Sequence, residues 1–377
     1  MVSYVKGSIE DFEDIIDFGN YVFGIDFKKL LPKLYNGKID TSNYHFMVKD
    51  NDKIKAMVGC FPLEHNVMDI NLKVKGIGTV SVHPYARDKG YMIQLMNKTI
   101  REMKEESIDF AILSGQRQRY EYFEFTPTGG KIIFEVNGVN LKHKKLWYDN
   151  KICLKIFDEL SEDDLKTIYI LFSKQSVHAS RDLSSFIDVC KSWNSKPLAV
   201  YYEERIVGYV ILSESLDRVL EIYLEDYEIL GKLLSNIIKD FDKEKIDIVV
   251  PIHRHELISC LVGICESYKI QPSTCLNIFN YKNFIKAFLS LKNSYETLEK
   301  GQLVIEILGR EKIIISVGND ITVEDSQGQP DIKLSHLEAM NFLCSQIRTL
   351  KYEEVGHNNI IKSWFPLPFC YPEIDNV

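Results

Sequence analysis

A short loop with two basic residues and a glycine is the segment of this sequence best suited to chemistry. Arg87, Asp88, Lys89 and Gly90 follow an alternating apolar run that predicts a strand, and they precede a helical pattern that begins near Tyr91. The first turn of a helix has free N–H groups and the positive end of the helix dipole, which together favour an anion. Glycine lets the backbone approach a ligand closely. The loop therefore suits a pyrophosphate, and the alternative interpretation is an ordinary solvated turn.

The loop lies within a longer pattern, VSVHPYARDKGYM, and Tyr120 follows in the run YEYFEF. This combination resembles the GNAT superfamily of acyl-CoA-dependent N-acyltransferases. In that family a VxVxP strand precedes a loop with Arg or Gln three positions before a glycine, and a YxxxGF motif comes later. The matching residues are Val80, Val82 and Pro84 in the strand, Arg87 and Gly90 in the loop, and Tyr120 and Phe125 in the last motif. Two residues depart from the pattern, since Met92 replaces a small residue and Glu124 replaces glycine.

The resemblance implies a cofactor site and acetyl-CoA as the co-substrate. In the family the loop binds the CoA pyrophosphate, and the backbone N–H of the residue matching Val80 or Val82 polarises the thioester carbonyl. The residues that the resemblance implies for cofactor binding are Val80, Ser81, Val82, Arg87, Asp88, Lys89, Gly90, Tyr91, Met92, Ile93, Gly115 and Gln116.

The resemblance also implies two catalytic groups. Tyr120 matches the tyrosine that protonates the departing thiolate, and a phenol with a pKa of about 10 carries its proton at neutral pH. GNAT enzymes often take a base from the VxVxP strand, but residues 77–81 include no carboxylate. In the Eis (enhanced intracellular survival) subfamily, which this sequence resembles along its length, the terminal carboxylate reaches the active site. Val377 is therefore the second expected catalytic residue; the alternative is that the tail only packs on the last domain.

The elements that position these residues alternate between helices and strands. Helical spacing of apolar residues predicts a helix over IEDFEDIIDFGNYVFG, and alternation on both sides of residues 50–52 predicts a hairpin. The run VKGIGTVSVHP is typical of a strand before the loop, and Phe110, Ala111, Ile112 and Leu113 predict a short strand after the helix. The turn residues PTGGK at 127–131 predict a further hairpin.

A faint internal repeat predicts a second lobe. Residues 198–210 have the same design as residues 46–59, in which a strand, a charged turn and a second strand lead to an apolar residue and glycine. In the second copy the strand VLEIYLED and an amphipathic helix follow, in the same order as a strand and a helix follow the first copy. At the position of the anion loop the second copy has two acidic residues and no glycine (224–227), so we expect one CoA site per chain.

The remainder of the chain predicts a third, smaller domain. The β runs QLVIEIL, KIIISV and ITVED precede a helix that Ser335 and Glu338 open as a capping box. The fold class is therefore expected to be mixed α+β, with a catalytic GNAT lobe over residues 1–143, a degenerate GNAT-like lobe over residues 144–291 and a sterol-carrier-protein-like domain over residues 292–377. The aromatic, proline-rich tail SWFPLPFCYPEIDNV is expected to be held against the protein. The Eis resemblance implies a homo-oligomer.

Composition excludes several other classes of protein. The chain of 377 residues has 46 basic and 54 acidic residues and a net charge of −8, which disfavours nucleic acid and favours cationic ligands. Eight scattered cysteines without a CxxC pair are typical of a reducing compartment and predict no metal site. An acidic N-terminus and the lack of a long apolar run predict a cytoplasmic protein that neither enters nor binds a membrane.

Two functions from different classes are compatible with these patterns. The first is an acetyl-CoA-dependent N-acetyltransferase acting on the primary amine of a small cationic acceptor, such as an aminoglycoside, a polyamine or a lysine-like amine. Glu121 and Glu124 near the expected site suit such a cation; the alternative is that these charges belong to a solvated surface. The second is a non-catalytic CoA- or lipid-binding scaffold or sensor that keeps the fold. Arg87, Gly90 and Tyr120 together favour the enzyme, whereas Met92 and Glu124 favour the scaffold.

Overall fold

A computed structural model describes residues 1–347 and 358–377, which fold into a mixed α+β structure. The strands are β1 (Val2–Lys6), β2 (His45–Asp50), β3 (Lys53–Val67), β4 (Ile70–Val82), β5 (Phe110–Leu113), β6 (Thr126–Thr128), β7 (Lys131–Asn137), β8 (Ile152–Ile156), β9 (Val177–Ala179), β10 (Lys196–Tyr202), β11 (Arg205–Leu212), β12 (Arg218–Leu224), β13 (Lys245–Pro251), β14 (Ser267–Gln271), β15 (Thr274–Ile278), β16 (Gly301–Ile307), β17 (Lys312–Val317), β18 (Ile321–Asp325) and β19 (Ile332–Leu334). The helices are α1 (Phe12–Phe23), α2 (Phe27–Leu30), α3 (Pro32–Tyr35), α4 (Tyr91–Glu105), α5 (Arg117–Tyr120), α6 (Gly138–His143), α7 (Glu162–Ser173), α8 (Phe186–Lys191), α9 (Leu230–Asp240), α10 (His255–Val262), α11 (Tyr281–Asn293), α12 (His336–Cys344) and α13 (Asn358–Trp364).

The strands form three sheets. The first has the order β1-β2-β3-β4-β5-β15-β6, with β9 also pairing to β3. The second has the order β14-β7-β13-β12-β11-β10-β8, and the third the order β18-β17-β16-β19. In the first sheet β2, β3 and β4 are antiparallel and β5 is parallel to β4; β10, β11, β12 and β13 repeat this arrangement in the second sheet. The shared order agrees with the predicted repeat, and the assignment of the second sheet as a degenerate GNAT-like lobe stays a prediction.

The first two sheets exchange strands along the chain. The chain leaves the first sheet after β6 and enters the second at β7; it returns to the first sheet briefly at β9 and again at β15, which pairs with both β5 and β6. The predicted hairpin turn at residues 127–131 is therefore wrong. The backbone of residues 127–131 packs against the C-terminal tail instead. Gly129 adopts a φ of 73°, and the Gly130 N–H donates to the Phe369 carbonyl at 2.8 Å. The domain boundaries after residues 143 and 291 stay predictions.

The predicted elements around the anion loop are present. The first helix is α1, which buries Ile15 and Ile16. The predicted hairpin is β2–β3, where Asn51 and Asp52 have φ values of 50° and 60°, the left-handed pair that a tight hairpin turn requires. The anion loop lies between β4 and α4, which begins at Tyr91 as the periodicity predicts.

The aromatic tail is buried, as predicted. Trp364, Phe369 and Tyr371 are at most 1% exposed. Phe369 packs against Phe284 and Phe288 of α11, with ring centroids 5.4 and 5.3 Å away, respectively. The tail therefore contributes to the core between the first and third sheets, and its apolar burial accounts for its fixed course.

Candidate active site

A wedge-shaped gap opens between β4 and β5. Their parallel pairing ends at Ile77 and Leu113, while β4 continues to Val82 without a partner on that edge among the described residues. On its other edge β4 has a bulge opposite Met57–Gly59, and Thr79 adopts a φ of 50°. A bulge increases the local twist and bends a strand, which turns β4 away from β5. The free edge over residues 78–82 leaves backbone N–H groups open to a ligand, and it contains three residues predicted to bind the cofactor, Val80, Ser81 and Val82.

The predicted anion loop lies at the far end of this edge. Gly90 is the N-cap of α4 with a φ of 72°, and Asp88 also has a positive φ of 63°. A β-carbon built on Gly90 would meet no heavy atom closer than 3.9 Å, so the approach to the helix terminus is open. The first intrahelical bond runs from Gln94 to Gly90, which leaves the amides of residues 91–93 without an intrahelical acceptor.

The charges of this loop face solvent. Arg87 and Lys89 are exposed, and neither forms an ion pair within residues 1–347 and 358–377. Met92, the departure from the small-residue pattern, packs against the core beneath α4 together with Val80 and Val82. The loop thus provides two unpaired cations and open amides at one helix terminus.

Tyr120 lies at the end of α5, after the turn that follows β5. Its ring packs on Gly115, where a β-carbon would come within 2.6 Å of Tyr120 Cε2. The side chain is 6% exposed, and burial raises the pKa of Tyr120 above its usual value of 10, while the nearby Arg119 charge opposes the rise. The phenol is consequently protonated at neutral pH. Gly115 and Gln116, also predicted as cofactor residues, form the turn that presents it.

The carboxylates that suggested a cationic acceptor beside Tyr120 are paired. Glu121 accepts from Arg117 at 3.1 Å, and Glu124 accepts from Arg310 of the β16–β17 turn at 2.5 Å. Glu124, which replaces the glycine of the YxxxGF pattern, has a φ of 65°, in the left-handed region that favours glycine. Each of these two carboxylates thus pairs with an arginine, and a role for them toward an acceptor cation stays a prediction.

The C-terminal carboxylate lies against β4 at the apex of the gap. A β-carbon on Gly78 would come within 2.7 Å of the Val377 carboxyl carbon, and one on Gly76 would come within 2.5 Å of Val377 Cγ2. Val377 itself is 8% exposed and packs with Met57 and Phe61. The two glycines provide the space for the terminal residue. Sequence reasoning did not assign them, although the GIG run within a strand pattern was the available signal.

A second cleft, of about 880 Å³, adjoins the tail on the side of the second sheet. Its lining includes Ser114 directly after β5, Asn376 of the tail, and three carboxylates. The carboxylate of Glu373 is balanced by Lys131 at 2.5 Å and Arg218 at 3.9 Å. Glu214 and Asp217 have no basic side chain within 4 Å in the part of the chain that the structure describes. Serine hydrogen bonds lower the pKa of Asp217, so it is charged at neutral pH.

The corresponding gap in the second sheet is filled. Pairing between β12 and β13 ends at Val219 and Ile248, beyond which the strands separate. The Arg254 guanidinium lies there, donating to the Ile222 carbonyl at 3.4 Å and to the Tyr227 hydroxyl. The Arg254 side chain thus lies where these two strands separate, and the expectation of one CoA site per chain stays a prediction.

The described residues include neither a candidate metal-binding cluster nor a helix that could cross a membrane. Among residues 1–347 and 358–377, no group of three or more His, Cys, Asp or Glu side chains could hold a metal ion. No helix in this part of the chain has the length and apolar character needed to cross a membrane.

Comparison with known proteins agrees with this geometry. Residues 3–127 match the family described as acetyltransferase (GNAT) domain. No curated protein sequence is significantly similar to the chain.

Solved structures with the same fold cover nearly the whole chain. A GCN5-related N-acetyltransferase from Anabaena variabilis has a TM-score of 0.70 and 14% identity, with 100% of each chain covered. A probable N-acyltransferase of unknown function from Enterococcus faecalis has a TM-score of 0.69 and 14% identity over 98% of this chain and 97% of that one. Eis1 from Mycobacterium abscessus has a TM-score of 0.66 and 13% identity, again with 100% of each covered. Residues 3–127 are therefore similar to the GNAT acetyltransferase domain family, and the chain shares the fold of these solved structures over its whole length.

Proposed function

We propose that this protein is an acetyl-CoA-dependent N-acetyltransferase that acts on the primary amine of a small cationic acceptor. One observation carries the proposal: β4 and β5 separate beyond Ile77 and Leu113, the open amides of α4 follow the free edge of β4, Tyr120 packs on Gly115 just after β5, and the Val377 carboxyl group lies against Gly78. A scaffold needs none of these groups together.

The cofactor contacts follow from the free edge and the helix terminus. The amides of residues 91–93 with Arg87 and Lys89 would hold the pyrophosphate. The pantetheine arm would lie along the unpaired edge of β4, and the N–H of Val80 or Val82 would donate to the thioester carbonyl. Gly90 keeps the path to the helix amides open, and a negatively charged side chain there would repel the phosphates.

The chemistry requires one bond to form and one to break. The acceptor nitrogen attacks the thioester carbonyl carbon, the new C–N bond forms and the C–S bond breaks. The Tyr120 hydroxyl gives its proton to the departing thiolate, and the amine loses one proton to the Val377 carboxylate, directly or through water. Return of that proton to the phenolate restores both groups, so the products are the acetamide and free CoA thiol.

The acceptor class follows from the cleft beside the tail. Glu214 and Asp217 supply two carboxylates without a basic partner among the described residues, in the same cleft lining as Asn376 of the tail. A second positive charge on the acceptor would be stabilised there while its amine reacts at the apex of the gap. Polyamines, aminoglycosides and lysine-like amines have a second positive charge besides the reacting amine, whereas a simple alkyl monoamine does not.

Release of free thiol from acetyl-CoA tests the proposal. We expect turnover with diamines, polyamines or aminoglycosides and a higher KM for monoamines of similar size. Asp217→Asn with Glu214→Gln should raise the KM for polycations about tenfold with little effect on monoamines, whereas the control Glu203→Gln, at an exposed ion pair with Lys151, should change neither. Binding of CoA without thiol release for any amine would contradict the enzyme and support the scaffold.

A further inference from the structure

The last residues of the chain are held by donors from two separate elements. Lys33 of α3 donates from Nζ to the carbonyl of Ile374 at 2.8 Å and to the carbonyl of Asn376 at 2.6 Å. Trp193, in the turn after α8, donates from Nε1 to the same Asn376 carbonyl at 3.2 Å. A carbonyl oxygen has two lone pairs and accepts both donors. The peptide directly before Val377 is therefore fixed from two sides.

We propose that Lys33 is a positioning residue that places the terminal carboxylate of Val377 at the apex of the gap, with Trp193 as its partner. The inference rests on the proposed function, in which that carboxylate receives the amine proton. It assigns to α3 a task in the reaction that neither the resemblance nor the loop motif contains.

The contacts of Lys33 differ from those of a lysine in an ordinary ion pair. Its ammonium group forms hydrogen bonds with two backbone carbonyls, and the neighbouring carboxylate, Asp375, is bound by Arg181 at 2.8 and 2.9 Å. Burial lowers the pKa of Lys33 to about 7, with the Asp375 charge opposing and the Arg181 charge reinforcing this shift, and with Cys190 also nearby. Burying such a group is unfavourable unless its hydrogen bonds are satisfied, and the tail carbonyls satisfy them.

The division of labour along the tail is also specific. Arg181 binds the side chain of Asp375 and holds the short helical turn over residues 373–375. Lys33 and Trp193 act one residue later, on the carbonyl that precedes Val377. Because a displacement of about 1 Å at a reacting group can lower a rate about a hundredfold, the second pair of contacts matters for rate even if the first keeps the tail bound.

The test compares Lys33→Met, which keeps the length of the side chain but removes the donors, with Lys33→Arg, which restores them. Lys28→Met on the adjacent α2 is the matched control, since Lys28 forms only an exposed pair with Glu13. Trp193→Phe removes the other donor and serves if Lys33→Met does not fold. Steady-state kinetics with acetyl-CoA give kcat and KM, and timed digestion with a carboxypeptidase gives the rate of valine release.

We expect Lys33→Met to lower kcat about tenfold or more with KM for acetyl-CoA unchanged, to accelerate valine release, and to be rescued by Lys33→Arg. Trp193→Phe should show a smaller change in the same direction, and Lys28→Met should match the wild type. A kcat within twofold of the wild type in both Lys33→Met and Trp193→Phe would overturn the inference. If the wild type itself transfers no acetyl group, the proposed function fails. In that case unchanged valine release in both variants would also show that Lys33 and Trp193 do not position the carboxylate.

Discussion

Among individual residues, glycines control access to the gap between β4 and β5. Gly76 and Gly78 leave space for Val377, and Gly90 leaves the terminus of α4 open. Replacing Gly90 with Asp should abolish CoA binding measured by calorimetry, because a carboxylate would face the pyrophosphate. The melting temperature should fall only slightly, because the site is exposed and the nearest heavy atom to a β-carbon is 3.9 Å away, so that only the strain of a side chain at a φ of 72° is added.

Gly90→Asn is the matched control for that substitution. Asparagine tolerates the φ of 72° about as well as aspartate but adds no charge, so it should retain a measurable affinity for CoA. Undiminished affinity in Gly90→Asp would show that the pyrophosphate lies elsewhere.

Tyr120 is a residue whose hydroxyl can be removed without changing its packing. Tyr120→Phe keeps the ring on Gly115, so the fold and the affinity for CoA should be unchanged. The value of kcat should fall about a hundredfold or more, as expected for the loss of a general acid. An unaffected rate would mean that the thiolate departs unaided or takes its proton from another group.

Among the secondary-structure elements, the tail is the one that joins the predicted site to the rest of the fold. Prolines at positions 366, 368 and 372 limit the freedom of the unfolded tail, so fixing it loses less entropy than fixing a flexible segment. Adding a few residues after Val377 should lower activity, because the terminal carboxylate would move away from Gly78. The Val377 side chain already fills the space beside Gly76. Deleting Asn376 and Val377 should also lower activity, because the carboxylate is lost from its place beside Gly78. The protein should stay folded, since the aromatic anchors remain.

An untagged protein, a C-terminally extended one and the two-residue deletion should be compared in one acetyl-transfer assay. Thermal melts control for folding. Equal rates in the three proteins would leave the tail a purely structural role, with water or the acceptor itself as the base.

For the chain as a whole, Arg181 connects the second sheet to the tail. Its guanidinium, with a side chain 1% exposed, binds Asp375 and Glu221 together. Arg181→Met should lower the free energy of unfolding by about 3–5 kcal/mol, because two buried carboxylates lose their cation. Urea denaturation measures this change, and the double variant with Asp375→Asn should lose less than the sum of the single changes.

The pH dependence of that loss follows from Asp375. Burial favours its neutral form, but Arg181 overcomes this and holds the pKa of Asp375 below its usual value. The wild-type pair therefore contributes stability above the ordinary carboxyl pKa and loses it as the pH falls through the lowered one. In Arg181→Met the unpaired carboxyl takes up a proton more readily, so the difference from the wild type should shrink as the pH falls towards 4. A difference that is constant with pH would contradict this role.

The sequence alone was sufficient for those features that depend on neighbouring residues. Periodicity located α1, α4 and the β2–β3 hairpin, and the resemblance carried by Arg87, Gly90 and Tyr120 indicated the GNAT domain family that residues 3–127 match. Helix starts and turn conformations are set within a few residues, so a linear pattern records them.

Features that depend on distant contacts required the tertiary structure. No local pattern distinguishes a hairpin at residues 127–131 from a crossing between sheets, because the partner that decides it, Phe369, is far along the chain. The same holds for Glu124, because its partner Arg310 lies 186 positions along the chain. It holds most of all for Lys33, because nothing in the neighbouring sequence distinguishes it from an ordinary surface lysine. Its contact with the tail exists only because burial of the aromatic anchors brings the two ends of the chain together.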